Sequence, residues 1–393
     1  MTTNVPEHRP AAAGKSRYIM IGGFLGAGKT TAVAALAQRF AARGLRVGLI
    51  TNDQGSELVD TAMLRAKGFD TQEIPGGCFC CRFNSLVEAA GKLTAATAPD
   101  IFIAEPVGSC TDLVATVTYP LRRIYGERFL VAPLSVLVDP IRAERIFGLA
   151  SGGRFSEKVL YIYRKQLEEA DVIVISKSEL LDEPRLAALR AAIAAAFPQA
   201  TIRAVSARED LGMEPWLEQL AQGEQVWRRV MDVDYEIYAE GEALLGWLNA
   251  TVELRGRGAG FDSCLALETL AKDIQSRLDG SEIAHLKMTL SPDTGLGDIA
   301  VINLVRSDFV PELSLTLDEP VQSGQLILNL RAEAHPDALR DAVRAAIDAL
   351  PAAIPGLEVR LDHLEHFRPG KPLPTHRDAE RKDECSSKRR LRV

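Results

Sequence analysis

The 393-residue sequence predicts an α/β domain with a mainly parallel sheet, followed by a smaller α+β domain of split β-α-β layout. Three observations carry this expectation. From Arg17 to about Leu220, short apolar runs alternate with amphipathic stretches. A glycine-rich segment joins the first run directly to the first helix. Beyond about residue 230 the order changes to strand, helix, several strands, helix, strand.

Residues 1–15, with Pro6, Pro10 and an Ala-Ala-Ala-Gly run, read as a disordered lead-in. Strands are then expected at Tyr18–Ile21, Val47–Thr51, Ile101–Ala104, Leu134–Val138, Val172–Ile175 and Ile202–Val205. Their near-continuous apolar character implies a parallel sheet covered on both faces. The intervening helices are Ala-rich, most clearly Glu183–Phe197. A polar stretch over 223–238 separates this domain (16–228) from the next (229–370). There, strands are expected at Thr251–Leu254, His285–Leu290, Ile299–Val305, Gln325–Leu330 and Glu358–Leu364, with helices at Cys264–Leu278 and Pro336–Leu350. Residues 371–393 read as a disordered basic tail.

Composition narrows the function. The net charge is −7, and because the tail is basic, residues 1–370 carry about −11. An acidic body is a poor nucleic-acid surface. No apolar run approaches the length of a membrane span, and Met1–Lys15 lacks the apolar core of a signal peptide, so a reducing cytoplasm is expected. Of six cysteines, Cys78, Cys80 and Cys81 share one four-residue window while Cys110, Cys264 and Cys385 are scattered, which is not a disulfide framework.

Gly23-Phe24-Leu25-Gly26-Ala27-Gly28-Lys29-Thr30 matches the P-loop pattern in full, after a strand and before the helix Thr31–Ala41. Its glycines let backbone N–H groups curve around a phosphate, Lys29 neutralises β/γ charge, and the Thr30 hydroxyl suits magnesium. Ile101–Ala104 ends in Glu105-Pro106-Val107-Gly108, placing an acid for magnesium or water and a glycine amide for a γ-phosphate. Asn52-Asp53-Gln54-Gly55 follows the second strand, where a switch segment would begin, and makes Asp53 a candidate catalytic residue beside Lys29 and Glu105. Ser176-Lys177-Ser178-Glu179 follows another strand. A carboxylate there accepts from guanine N1–H and the N2 amine, which adenine lacks, so Glu179 favours GTP. Val205-Ser206-Ala207 is the candidate loop beneath the base.

Gly76-Gly77-Cys78-Phe79-Cys80-Cys81 is the least ordinary passage. Three thiolates in a glycine-loosened loop supply three of the four ligands of a tetrahedral zinc or cobalt site, with water, a carboxylate or a partner's ligand as the fourth. A redox dithiol and inert cysteines are the competing readings, and the Cys-x-Cys spacing argues against the former. The loop lies between two segments expected to sense nucleotide, so nucleotide state can alter the metal's ligand set.

Together these residues resemble the CobW-like branch of P-loop GTPases, related to the urease and hydrogenase nickel-insertion GTPases. The carriers are Gly-Gly-Phe-Leu-Gly-Ala-Gly-Lys-Thr-Thr at 22–31, Gly-Gly-Cys-Phe-Cys-Cys at 76–81, Glu-Pro-Val-Gly at 105–108 and the strand ending in Val138-Asp139. The resemblance implies a GTP-hydrolysing metallochaperone that delivers a metal such as zinc or cobalt to a client metalloprotein or metal-cofactor enzyme. It implies Gly26, Gly28, Lys29, Thr30 and Thr31 for phosphates and magnesium, Glu105 for the magnesium and water network, Lys177 and Glu179 for the base, and Cys78, Cys80 and Cys81 for the transferred metal. The alternative is a GTPase switch that gates a corrinoid- or metal-dependent enzyme, with structural cysteines. Two departures stand out: Ser-Lys-Ser-Glu replaces Asn-Lys-x-Asp, and no histidine-rich stretch is present.

Overall fold

The computed structural model describes residues 14–52, 59–294 and 298–378. The first sheet comprises β1 (Ser16–Gly23), β2 (Val47–Asn52), β3 (Thr71–Ile74), β4 (Ile101–Glu105), β5 (Phe129–Val131), β6 (Ser135–Val138), β7 (Val172–Ile175) and β8 (Thr201–Ala204). The strand order is β3-β2-β4-β1-β6-β7-β8, with β5 also on β1, and every pairing is parallel. Parallel neighbours need crossovers, which α1 (Lys29–Ala42), α2 (Val59–Ala66), α3 (Phe83–Thr97), α4 (Tyr119–Tyr125), α5 (Pro140–Ile146), α6 (Glu157–Glu169), α7 (Glu183–Ala196) and α8 (Met213–Gln222) share out. Both faces are thereby covered. Leu36 and Phe40 of α1 pack with Ile19, Ile21 and Ile103 on one side, and Phe79, Phe83 and Leu86 pack with Phe102 and Val136 on the other. Burial on both faces is why these strands read as unbroken apolar runs.

The connection, expected as polar irregular chain, ends in α9 (Tyr235–Leu244), whose Asp234 cap accepts from the N–H groups of Glu236 and Ile237. The second sheet follows, with β9 (Leu245–Gly256), α10 (Ser263–Arg277), β10 (Glu282–Pro292), β11 (Ala300–Leu304), β12 (Glu312–Leu315), β13 (Ser323–Glu333), α11 (Pro336–Ala353) and β14 (Leu357–Phe367). Its order is β12-β11-β10-β13-β9-β14, all antiparallel. Because β13 lies between β9 and β10, and β9 between β13 and β14, both helix crossovers are split β-α-β units.

Alternation divides this sheet's two faces. Leu248, Ala250, Met288, Leu328 and Leu330 turn toward α10 and α11 and form a separate core. The other parity carries Trp247, His285, Lys287, Asn303 and Arg331, and these line the cavity shared with the first sheet. Two joints fix the approach. Gly26 has φ +80, and a Cβ there would sit 2.8 Å from the Ala284 carbonyl, so strand β10 touches the P-loop. Buried Arg142 donates to the carbonyls of Leu25 (3.2 Å), Ile283 (3.1 Å) and Val305 (2.5 Å), tying both domains with one side chain.

The tail expectation is corrected in part. Residues 371–378 lie against the cysteine loop instead of trailing free, held by backbone bonds from Thr375 to Cys80 (2.8 Å) and from Asp378 to Ala115 (2.8 Å). An ion pair between Arg377 and the buried Asp112 (2.7 Å) adds to these. The remainder of the expected tail, 379–393, and most of the expected lead-in, 1–13, fall outside the described residues.

Candidate nucleotide site and thiol cluster

The P-loop is built as its residues require. Gly28, at φ +81, begins α1 with no side-chain cap and no acid in the first turn, which leaves the helix's first N–H groups to an anionic ligand. Lys29 and Thr30 are buried beneath it. The Thr30 hydroxyl donates to Glu105 Oε1 at 3.0 Å, so two hard oxygens, one from the start of α1 and one from the end of β4, face one point. That donor set fits magnesium, which takes a hydroxyl or carboxylate and keeps waters.

At the far end, Lys177 stands in the left-handed region at φ 48. Its ammonium reaches the Gly26 carbonyl and Asp139 Oδ2, both at 2.9 Å. The shortened position Ser176 donates its hydroxyl to the carbonyls of Ala27 (2.7 Å) or Val138 (2.9 Å), which ties this loop to the P-loop. Glu179 lines the cavity with Oε2 buried and without a hydrogen-bond partner. A buried carboxylate oxygen left unpaired is costly, and it faces the cavity as an acceptor for an N–H donor.

The cavity encloses about 250 Å³. Its second wall is the C-terminal sheet, and the charge there is positive. Burial pushes His285 well down from its ordinary value, and the neighbouring cations Lys287, Arg331, Lys29 and Arg142 push it further, so it is neutral. Arg331, fully buried, stacks 4.0 Å over the Trp247 ring and donates to the Leu248 carbonyl at 2.8 Å. Arg306 pairs with Asp139 at 3.2 Å. Burial alone would raise Asp139, yet Lys177 and Arg306 hold it far below the carboxylate range. Cations converging on an enclosed phosphate loop suit a polyanion.

The thiols do converge. Sγ of Cys78 lies 2.7 Å from that of Cys80 and 3.2 Å from that of Cys81, with 3.7 Å between the latter two. The set fits a single soft or borderline cation. Cys110, expected among the scattered cysteines, is buried in the same core as Cys78 and Cys80. Donation from Cys110, then Cys80 and Cys81, drives Cys78 well below the ordinary thiol value. Being hydrogen-bonded to that thiolate, together with burial, drives Cys80 well up and Cys81 up to about 11. One thiolate shared among protonated thiols is ready to take a metal, with protons leaving as further ligands bind. Over the loop, Leu373 N–H donates to Cys81 Sγ (3.2 Å) and the Thr375 hydroxyl to the Cys81 carbonyl (3.0 Å).

Of the residues expected at the nucleotide, Gly26, Gly28, Lys29, Thr30, Thr31, Glu105, Gly108, Lys177 and Glu179 share the cavity wall, whereas Gly23, Ala27 and Ser206 do not. Gly23 is needed for packing, since a Cβ there would lie 2.4 Å from the Leu137 carbonyl. Ser206 accepts the Glu209 N–H at 3.0 Å while its neighbours Val205 and Ala207 line the cavity. Asp53 lies outside the described residues. Sequence reasoning missed Arg142, His285, Lys287, Arg306 and Arg331. For His285, Lys287 and Arg331 the only signal was charge on the outward parity of otherwise apolar strands, whereas Arg142 on α5 and Arg306 beyond β11 gave none.

A parallel sheet whose first strand enters Gly23–Thr30, with Thr30 set on an acid at the end of the adjacent strand, defines a P-loop nucleotide-binding domain. Residues 17–203 match the family model described as CobW/HypB/UreG, nucleotide-binding domain. The chain is 30% identical over 209 residues to a zinc chaperone CobW of Sinorhizobium sp, covering 46% of this chain and 56% of the relative. It is 32% identical over 168 residues to the zinc chaperone YeiR of Escherichia coli, covering 42% and 47%. The chain therefore spans about half the length of the curated relatives it matches. Among solved structures, the Zn(II)-bound YjiA GTPase from E. coli aligns over 86% of this chain and 99% of that one, at 16% identity and a TM-score of 0.35. Among the described residues, no helix is long and apolar enough to cross a membrane.

Proposed function

We propose that this protein binds and hydrolyses GTP and uses the cycle to hold a zinc or cobalt ion on Cys78, Cys80 and Cys81 and pass it to a client metalloprotein or metal-cofactor enzyme in the cytoplasm. The observation that carries the reading is the convergence of three thiols on a loop whose Gly77 carbonyl accepts, at 2.6 Å, from Asn52 of the cavity wall. In this reading the division falls at 16–228 for the GTPase domain and 229–370 for the C-terminal domain. The zinc chaperones it resembles support the choice of metal.

The residues then act as follows. The N–H groups of Gly26, Gly28, Thr30 and Thr31 cradle phosphate, and Lys29 neutralises its charge. Thr30 and Glu105 hold magnesium, which when bound screens the β- and γ-phosphates. The Gly108 N–H faces the γ-phosphate, Asp53 orients the attacking water, and Lys177 and Glu179 hold the guanine. The acidic body suits a protein client and not a nucleic acid.

The test is GTP and ATP turnover during zinc and cobalt titration, together with equilibrium metal binding to wild type and a C78S/C80S/C81S variant. GTP turnover above ATP turnover and loss of the bound metal in the variant are expected. Equal metal affinity and stoichiometry in both proteins would refute the metal-holding role.

A further inference from the structure

We propose that the face of the thiol loop covered by residues 371–378 is the docking surface for the client, which enters as an extended segment whose arginine takes the place of Arg377 on Asp112. The inference rests on the metal-holding reading above and deepens it by naming where the client binds and by what chemistry.

A client's ligand must come within about 2.0–2.3 Å of the metal to take it. Cys78 and Cys80 are buried, and of the three thiol residues Cys81 alone is part-exposed. The approach is therefore over Cys81. That place is occupied by the chain itself: the Leu373 N–H donates to Cys81 Sγ at 3.2 Å, the Thr375 N–H to the Cys80 carbonyl at 2.8 Å and the Thr375 hydroxyl to the Cys81 carbonyl at 3.0 Å. Segment and client compete for one space.

What the surface accepts is read from what the segment gives it. To the segment's backbone it presents acceptors: Cys81 Sγ, the Cys80 carbonyl and, at 2.8 Å from the Asp378 N–H, the Ala115 carbonyl. Any extended chain can satisfy these. Pro372 and Pro374 keep the segment extended, and Leu373 and Thr375 supply the donors the prolines lack. Selection comes from Asp112. Its side chain is 1% exposed and accepts Arg377 Nε at 2.7 Å and the Tyr235 hydroxyl at 2.6 Å. An incoming segment without a cation leaves that buried charge uncompensated, so the surface selects one that brings an arginine. Elsewhere the hold is light. Leu373 is 74% exposed, and the end pairs, Lys371 with Glu236 and Asp378 with Arg123, lie at the surface, where ion pairs contribute little. A few hydrogen bonds and one buried pair can be exchanged for another set of the same kind. As the ion then passes, each metal–sulfur bond is replaced by one to a client donor, each freed thiolate takes a proton from water, and the ion stays divalent.

The experiment uses the full chain and, as probe, a fluorescein-labelled peptide with the sequence of 371–378, followed by fluorescence anisotropy without metal. Arg377→Ala in the chain loosens the tethered competitor, so the peptide should bind R377A about ten-fold or more tighter than wild type. Replacing the peptide's own arginine by alanine, or adding D112N to R377A, should each weaken binding about ten-fold or more. Asparagine suits the left-handed φ of 64 at Asp112, so D112N changes the charge and not the backbone. With zinc loaded, release to a chelating dye should be several-fold faster from R377A than from wild type, and the intact peptide should slow it again. A peptide that binds neither protein, binds both alike, or binds without regard to its arginine overturns the docking surface. Zinc release at one rate from wild type and R377A, or unslowed by the peptide, overturns its place on the metal's path. Should R377A fail to fold by circular dichroism, Thr375→Pro, which removes the N–H and hydroxyl held by the loop and leaves Asp112 paired, is read in its place. Zinc bound equally after C78S/C80S/C81S instead refutes the parent reading, and the peptide measurements, made without metal, stand apart from it.

Discussion

Replacing Asp139 by Asn tests how the two domains and the base loop are joined. Asp139 caps α5, its Oδ1 accepting the Arg142 N–H at 3.0 Å and Arg306 at 3.2 Å, while Oδ2 accepts Lys177 at 2.9 Å. Asparagine keeps the shape and the cap through Oδ1, but it removes the charge and puts an amide donor where Oδ2 accepted from Lys177. Arg306, 6% exposed, is then left as a buried cation facing a neutral amide, whereas Lys177, 25% exposed, is partly rescued by water. Breaking a buried pair from one side costs about 3–5 kcal/mol, and screening at Lys177 places this one near the lower end, about 3 kcal/mol. Urea unfolding followed by tryptophan fluorescence measures it at neutral pH. The sign with pH is fixed by the depressed acidity of Asp139. Its contribution is complete above the ordinary aspartate value of 3.8 and is lost as pH falls below that, by up to about 1.4 kcal/mol per unit. Wild type and D139N should therefore converge in acid. A difference under about 0.5 kcal/mol at pH 7, or one that does not narrow below pH 4, would show that the buried charge does not join the domains.

Other outcomes follow from the same geometry. Glu179→Gln removes a charge-assisted acceptor, and GTP affinity should fall by about 1.5–3 kcal/mol, roughly 10- to 150-fold, while ATP affinity stays level in a competition assay. Thr30→Ala should abolish the magnesium dependence of nucleotide affinity, read by titrating magnesium against a fluorescent GDP. Burial raises Glu242 to about 8, so the stability of its neutral form is complete below the ordinary glutamate value of 4.5 and is lost as pH rises to about 8. Glu242→Gln should then flatten the stability profile between pH 5 and 8, a change on the order of 4 kcal/mol across that range. Truncation after Lys371 uncovers Cys81 and leaves Asp112 with the Tyr235 hydroxyl but without its cation. Its thiol should react several-fold faster with a colorimetric disulfide reagent, and an unchanged rate would mean the segment does not shield the loop.

Local chemistry was legible wherever neighbours in sequence are neighbours in space. Gly23–Thr30 reads as a phosphate loop because a strand, a turn and a helix are contiguous, Glu105 reads as a ligand because it ends an apolar run, and Glu179 because it closes the polar quartet after one. Short strands such as β3, β5 and β12 were missed. Each has only three or four residues, and Thr71–Ile74 and Glu312–Leu315 carry polar side chains on sheet edges where little is buried. The segment 371–378 looked like solvent-facing chain because its partners, Cys80, Cys81 and Asp112, lie more than 250 residues away.

By itself, then, the amino-acid sequence determined the class of each domain, the phosphate loop and the clustering of Cys78, Cys80 and Cys81, since period, glycine placement and short spacing are local properties. The tertiary structure alone decided that Cys110 shares the core of Cys78 and Cys80, that Arg306 crosses to Asp139, and that the face bearing His285, Lys287 and Arg331 closes over the P-loop cavity. A strand's alternation says which residues share a face. Only the packing of that face against another domain says what it meets.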